Sequence, residues 1–176
     1  MGKFEQITCA FLIAVSLLAG YVLIEQRISP PTRTNRRTSV DALIGKKMNL
    51  KGASWDESSQ HIVVVLNSHC VFCVASLPFY RQLGGAIKAN GAGTALTIVS
   101  SEPVAVTQQF LADNGVVADH ILSSPLNVLG VSATPTMLLT NSKGVVVKAF
   151  VGHLAPANEA LIMKAIVSQP NVAGKG

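Results

Sequence analysis

Apolar residues fall along this chain in blocks of two kinds, short β-branched runs and longer stretches of helical period. Ile62-Val63-Val64-Val65-Leu66 is an uninterrupted run, and it predicts a central strand over 61–67 buried on both faces. From Val71 to about Ala89 the apolar positions Phe72, Ala75, Leu77, Phe79, Leu83, Ala86 and Ile87 keep close to the helical spacing. Pro78 lies inside that segment, where it removes a backbone donor and predicts a kink. After a turn at Gly91–Gly93, Ala95-Leu96-Thr97-Ile98-Val99 reads as a second central strand. Pro103 opens a helix that runs to about Asp113 and stops at Asn114-Gly115. Past Ser123-Ser124-Pro125 and a short turn come strands at Thr136–Thr140 and Val145–Phe150, joined by the hairpin loop Asn141-Ser142-Lys143-Gly144. Pro156–Val167 is a closing helix. Upstream, Lys47–Leu50 reads as a short strand and Ser54–Gln60 as a polar turn. This order predicts an α/β domain with a mixed central sheet covered by helices on both faces.

The N-terminal pattern is different. Ile7–Ile24 carries no charge for about 18 residues, and at 1.5 Å per residue it spans roughly 27 Å, close to the hydrocarbon thickness of a bilayer. The small-residue trio Ala14-Val15-Ser16 falls inside the run rather than at its end, so an uncleaved anchor fits better than a signal peptide. From Glu25 the composition turns to Pro, Thr, Arg, Asn and Ser, with Pro30-Pro31 in the middle, which reads as a semi-extended tether. The expected division is a short tail at 1–6, a single transmembrane helix at 7–24, a linker at 25–42, a globular domain at 43–169 and a frayed tail at 170–176. Lys3 is the one basic residue before the span, whereas Arg27, Arg33, Arg36 and Arg37 follow it. Taken alone, the positive-inside rule puts the globular part in the cytoplasm.

Composition narrows the picture further. A chain of 176 residues, 49% hydrophobic and 13% charged, is too apolar for a disordered protein and long enough for one ordinary core. Its net charge of +5 is spread out, and only Arg33, Arg36 and Arg37 cluster, so nucleic-acid binding is not expected. That trio reads as a juxtamembrane stretch lying against anionic head groups. Three cysteines exclude a disulfide-stapled scaffold and leave one pair, with Cys9 inside the apolar segment.

That pair is Cys70-Val71-Phe72-Cys73, placed where the first strand gives way to the first helix. At a helix N-terminus the leading sulfur lies beside unpaired backbone N–H groups and the positive end of the dipole, which favours its thiolate. A zinc site would need two further ligands, and neither a second Cys pair nor a closely spaced His pair is present.

Four patterns in sequence resemble the thioredoxin superfamily from about Leu43 to Val167. They are the Cys70–Cys73 pair after a Val-rich strand, Pro78 five residues past the second cysteine, Gly130-Val131-Ser132-Ala133-Thr134-Pro135-Thr136, and Lys143-Gly144 followed by Val151-Gly152-His153-Leu154. With its span and tether the chain is similar to the membrane-anchored TlpA/ResA-type thioredoxin-like proteins of bacteria. The resemblance implies a thioredoxin fold and a thiol–disulfide oxidoreductase acting on protein thiols and disulfides. It implies Cys70 as the attacking thiolate, Cys73 as the resolving thiol, and a cis bond at Thr134-Pro135 whose exposed backbone pairs with an extended substrate segment. It also implies a single-pass protein of the bacterial cytoplasmic membrane, its domain facing the periplasm, recycled by a membrane redox partner. This location runs against the arginine count. No cofactor is expected beyond the Cys70–Cys73 disulfide. Lowering a cysteine from about 8.5 to about 7 raises the thiolate fraction at neutral pH roughly tenfold.

Departures from the family pattern mark what is particular to this chain. His69 stands where a Trp commonly precedes the first cysteine, and its imidazole either stabilises the Cys70 thiolate or is exposed and idle. Val64 occupies the position of the family's buried carboxylate. Glu102, after the second strand, either stands in for that acid or is an exposed residue at a helix start. Val71-Phe72 carries no charge, so reductant and oxidant directions both fit. Two other readings remain open: a copper chaperone using Cys70, Cys73 and His120, and a non-catalytic tethered binding domain. Trp55 and Tyr80 read as packing residues.

Overall fold

A computed structural model describes residues 41–90 and 93–167, together with Tyr21. The expected span at 7–24 (Tyr21 aside), residues 25–40 of the expected tether and the expected tail at 170–176 lie outside the described residues. The chain divides into two compact units, Met1–Asn35 and Arg36–Gly176; the fold below is that of the second.

Five strands form one sheet: β1 (Gln60–Val65), β2 (Thr94–Ser100), β3 (His120–Ser123), β4 (Thr136–Asn141) and β5 (Val146–Val151). Their spatial order is β3-β2-β1-β4-β5. β1, β2 and β3 run parallel, while β4 runs antiparallel to β1 and β5 antiparallel to β4. The helices are α1 (Val71–Asn90), α2 (Val104–Asp113) and α3 (Pro156–Val167). β1 and β2 are central, and all seven residues of β2 are buried, as their β-branched runs require.

Alternate residues of these strands enter two cores. Ile62, Val64, Leu66, Leu96, Ile98 and Met137 meet α1 through Cys73, Leu77, Tyr80 and Leu83, α2 through Leu111, and α3 through Ile162 and Ile166. Val63, Val65, Val99, Leu138 and Val146 face the other way, against Met48, Leu50, Leu129 and Val131. Among the described residues α1, α2 and α3 all feed one core. The reason is topological. Two successive parallel crossovers, β1-α1-β2 and β2-α2-β3, advance in the same direction across the sheet, and their common right-handedness puts both helices on one side. The second face is covered by the segment from Leu43 to Trp55 and the turn around Leu126–Val131.

Other differences are local. β3 was not expected, and the proposed strand at Lys47–Leu50 reduces to one bridge between Lys47 and Val145. Pro103 caps α2 from outside rather than forming its first turn. Pro78 lies within α1, as the sequence requires.

Gly84 and Gly85 on α1 give the packing a direct test. A Cβ at Gly84 would run into the carbonyl oxygen of Val117, whereas one at Gly85 meets open space. Gly84→Ala is therefore expected to lower unfolding stability by about 1–3 kcal/mol through overpacking. Gly85→Ala should leave it unchanged or raise it by roughly 0.5–1 kcal/mol through helix propensity. Urea denaturation of the two variants checks this, and equal midpoints would show that α1 does not pack against the Val117 loop.

Candidate active site

The register of the sheet gathers four chain segments at one edge. Val65 pairs with Val99 on one side and with Thr136 on the other, and Thr136 pairs in turn with Val151. The loop before α1, the Ser100–Glu102 segment after β2, the turn before β4 and the Gly152–His153 segment after β5 therefore converge. This is the C-terminal end of the parallel strands, where open α/β sheets place their ligands.

Both cysteines are free thiols at the start of α1, at different depths. Cys70 is half-buried and Cys73 fully buried. The Thr134–Pro135 bond is cis, and the Thr134 carbonyl lies 3.4 Å from Cys70 Sγ. From the helix side, the Cys73 backbone N–H donates to the same sulfur at 3.4 Å. Burial pushes the Cys70 thiol up, but hydrogen bonds from the Cys73 and Thr134 side chains and the backbone N–H groups of Cys73 and Phe72 outweigh it, leaving Cys70 below an ordinary cysteine. For Cys73 burial dominates, reinforced by its hydrogen bond to Cys70, and the thiol is pushed up to about 12. One sulfur is thus prepared to ionise and the other to stay protonated.

Glu102 is neither the family's buried acid nor an exposed helix-start residue. Its carboxylate accepts from the Ser68 N–H at 2.9 Å, the Ser68 hydroxyl at 2.5 Å and the Ser100 hydroxyl at 3.0 Å. Burial raises its pKa, but the two Ser68 hydrogen bonds, the Ser100 hydroxyl and the nearby His69 ring prevail and keep it ionised. Glu102 therefore fastens the loop two residues before Cys70. The His69 N–H donates to Asn67 Oδ1 at 2.9 Å. Its imidazole is 90% exposed and 4.0 Å from the Glu102 carboxylate, so it stands at the rim of the site. Val71 and Phe72, 77% and 60% exposed, form an apolar surface beside Cys70.

His120 is elsewhere. It opens β3, three residues before that strand's C-terminal end, and pairs with Glu57 at 3.5 Å. Among the described residues no group of three or more His, Cys, Asp or Glu side chains is arranged to hold a metal ion. The Cys70, Cys73 and His120 set is not brought together. Trp55 and Tyr80 pack as expected, Trp55 edge-on to His61 at 5.1 Å and Tyr80 in the helix-side core.

Sequence reasoning missed one contact at this edge. Ser76, one turn beyond Cys73, donates its hydroxyl to the Phe72 carbonyl at 2.8 Å and lies 2.9 Å from His153 Nδ1.

No protein-family model matches the chain, and no curated protein matches it. Solved structures do. The chain is similar to a thiol-disulfide isomerase from Corynebacterium glutamicum, at 15% identity over 72% of this chain and 94% of that one, with a TM-score of 0.53. It is similar to a thiol:disulfide interchange protein from a Bacteroides species, at 14% identity over 72% and 87%, TM-score 0.52. A third is a thioredoxin-family thiol:disulfide interchange protein from Chlorobium tepidum, at 18% identity over 65% and 83%, TM-score 0.50. Likeness at such identities speaks to the fold. Together with the strand order and the cis-Pro turn beside the dithiol, it establishes that the described domain has the thioredoxin fold.

Proposed function

We propose that this protein is a thiol–disulfide oxidoreductase that exchanges the Cys70–Cys73 dithiol with disulfides of protein substrates. The observation that carries this reading is the placement of Cys70 Sγ between the Thr134 carbonyl and the Cys73 N–H, each at 3.4 Å. The Cys70 thiolate attacks one sulfur of a substrate disulfide, forming a mixed disulfide and releasing the other sulfur as a thiolate. Cys73 then attacks Cys70 Sγ, closing the Cys70–Cys73 disulfide and releasing the second substrate thiol; the reverse sequence oxidises a substrate. The backbone of Thr134 offers an edge for an extended substrate segment, and Val71 and Phe72 an apolar surface beside it. No cofactor enters beyond the dithiol.

We place the domain outside the cytoplasm, tethered by the 7–24 segment and recycled by a membrane redox partner. Support comes from the resemblance to anchored thioredoxin-like proteins and from an apolar run long enough to span a bilayer. The arginines after the span weigh against it.

Cys73→Ser should trap a substrate protein on Cys70 as an adduct that migrates slowly on non-reducing gels and disappears with reductant. Absence of any adduct, with a partner still bound when both cysteines are Ser, would identify a binding domain instead. Iodoacetamide should alkylate Cys70 with a rate midpoint below the ~8.5 of a free cysteine. Because the thiolate is the reactive form, labelling should rise as pH increases through that lowered value, while Cys73 in Cys70→Ser stays unlabelled near neutrality. A Cys70 midpoint at or above 8.5 would contradict its activation. For the location, a C-terminal reporter that works only outside the cytoplasm should be active in the full-length fusion; a silent but stable fusion would reverse the assignment.

A further inference from the structure

The turn that carries Cys70 is held at both ends by backbone. The Leu66 N–H donates to the Val99 carbonyl at 2.9 Å, which continues the β1–β2 pairing, and the Cys70 N–H donates to the Asn67 carbonyl at 3.2 Å where α1 begins. Between these points Ser68 is tied to a different part of the chain. The Glu102 carboxylate accepts the Ser68 N–H on Oε2 at 2.9 Å and the Ser68 hydroxyl on Oε1 at 2.5 Å, so one residue engages both oxygens. Hydrogen bonds to an ionised carboxylate are about twice as strong as neutral ones.

Glu102 is held in turn. Its N–H donates to Ser100 Oγ at 3.1 Å, and the Ser100 hydroxyl donates back to Oε2 at 3.0 Å, closing a ring between backbone and side chain. Ser100 ends β2, is 0% exposed, and accepts the Ser124 N–H on its carbonyl at 2.9 Å. The clamp on Ser68 therefore stands on the buried sheet rather than on a surface loop.

Activation and placement of Cys70 have different sources. Of the four hydrogen-bonding contributions that hold its thiol down, three come from Cys73 and Phe72, which travel with α1. The fourth, from Thr134, crosses from another segment, whose carbonyl is 3.4 Å from Sγ. Because β2 and β4 flank β1 on opposite sides, the turn is clamped from the β2 side while its sulfur faces the Thr134 turn on the other.

We propose that Glu102 is a positioning residue for the exchange reaction: by tying Ser68 to the end of β2, it holds Cys70 Sγ where a disulfide docked on the Thr134 turn is attacked in line. This rests on the thiol–disulfide reading above. In that step the Cys70 thiolate bonds to one substrate sulfur, the substrate S–S bond breaks, and the electron pair leaves on the other sulfur. Glu102 is absent from the interactions that set either thiol, so it acts through the backbone of the turn. A nucleophile displaced by 1 Å can lose about 100-fold in rate. The loss falls on a disulfide that must dock, and a small reagent that need not dock is spared.

The test compares two reactions of the reduced full-length protein at neutral pH. One is mixed-disulfide formation at Cys70 with oxidised glutathione, acid-quenched and followed by mass spectrometry; the other is alkylation of Cys70 by iodoacetamide. Glu102→Ala should slow the first about tenfold or more and leave the second within about twofold of wild type. General loss of structure would instead open the buried Cys73 to alkylation. Glu102→Gln, whose amide oxygen can still accept the Ser68 N–H, should recover most of the rate. Ser68→Ala should lose part of it, and adding this change to Glu102→Ala should cost less than about a further twofold, because both act through one contact. Wild-type mixed-disulfide formation in Glu102→Ala, an equal loss in both reactions, no recovery in Glu102→Gln, or full additivity with Ser68→Ala would overturn the positioning role while leaving the exchange reaction in place. Failure of the wild-type protein itself to form a mixed disulfide would remove the exchange reading, and this role with it.

Discussion

The antiparallel pairing of β4 with β1 is the constraint from which the site follows. Once Val65 is opposite Thr136, the two residues before Thr136 must lie beside the residues that follow Val65, which are the loop and first turn of α1. Neither segment is close to the other in sequence; Cys70 and Thr134 are 64 positions apart. The pairing is itself secured by burial. Every residue of β1 after Gln60 is buried, and a one-residue slip would turn its side chains to the opposite core. The packing of Ile62 and Val64 into one core and Val63 and Val65 into the other is thus what holds a carbonyl 3.4 Å from a sulfur.

Depth then makes two identical side chains into different reagents. Cys70 and Cys73 share one helical turn and the same dipole, yet burial decides the outcome for the inner thiol and hydrogen bonding decides it for the outer one. The first backbone N–H groups of α1 have no partner within the helix, so they are available to a thiolate at the surface. Three residues later the chain has turned inward, and the sulfur there lies in the apolar core, where burial outweighs the hydrogen bonds from Asn67 and Thr134.

The sequence disclosed this plan unevenly, and the differences have physical causes. Long runs with a clear period, β1, α1, β2 and α3, were readable because burial acts along their whole length. β3 was not: four residues, HILS, only partly buried, carry no period to detect, and the strand exists because β2 offers it an edge. The sidedness of the helices is a property of crossover direction, which strand order alone reveals. The dithiol and the Thr134-Pro135 turn were readable as motifs. Glu102 was not, because its partners Ser68 and Ser100 are common surface residues until the sheet places them together. Ser76 and His153, 77 positions apart, left no local pattern at all.

Charge is distributed in this site with a consistent logic. In the pattern the chain resembles, a carboxylate lies beneath the dithiol; here Val64 fills that position, and a buried carboxylate among Ile62, Leu96 and Ile98 would carry a heavy desolvation cost without a partner. The acid that is present, Glu102, sits instead at the mouth of the site, where three donors satisfy it. There it fixes the backbone ahead of Cys70, and it figures in none of the interactions that set either thiol. Glu102 holds the loop on the β2 side, while the polar groups that reach Cys73 are Cys70, the Asn67 backbone and Thr134.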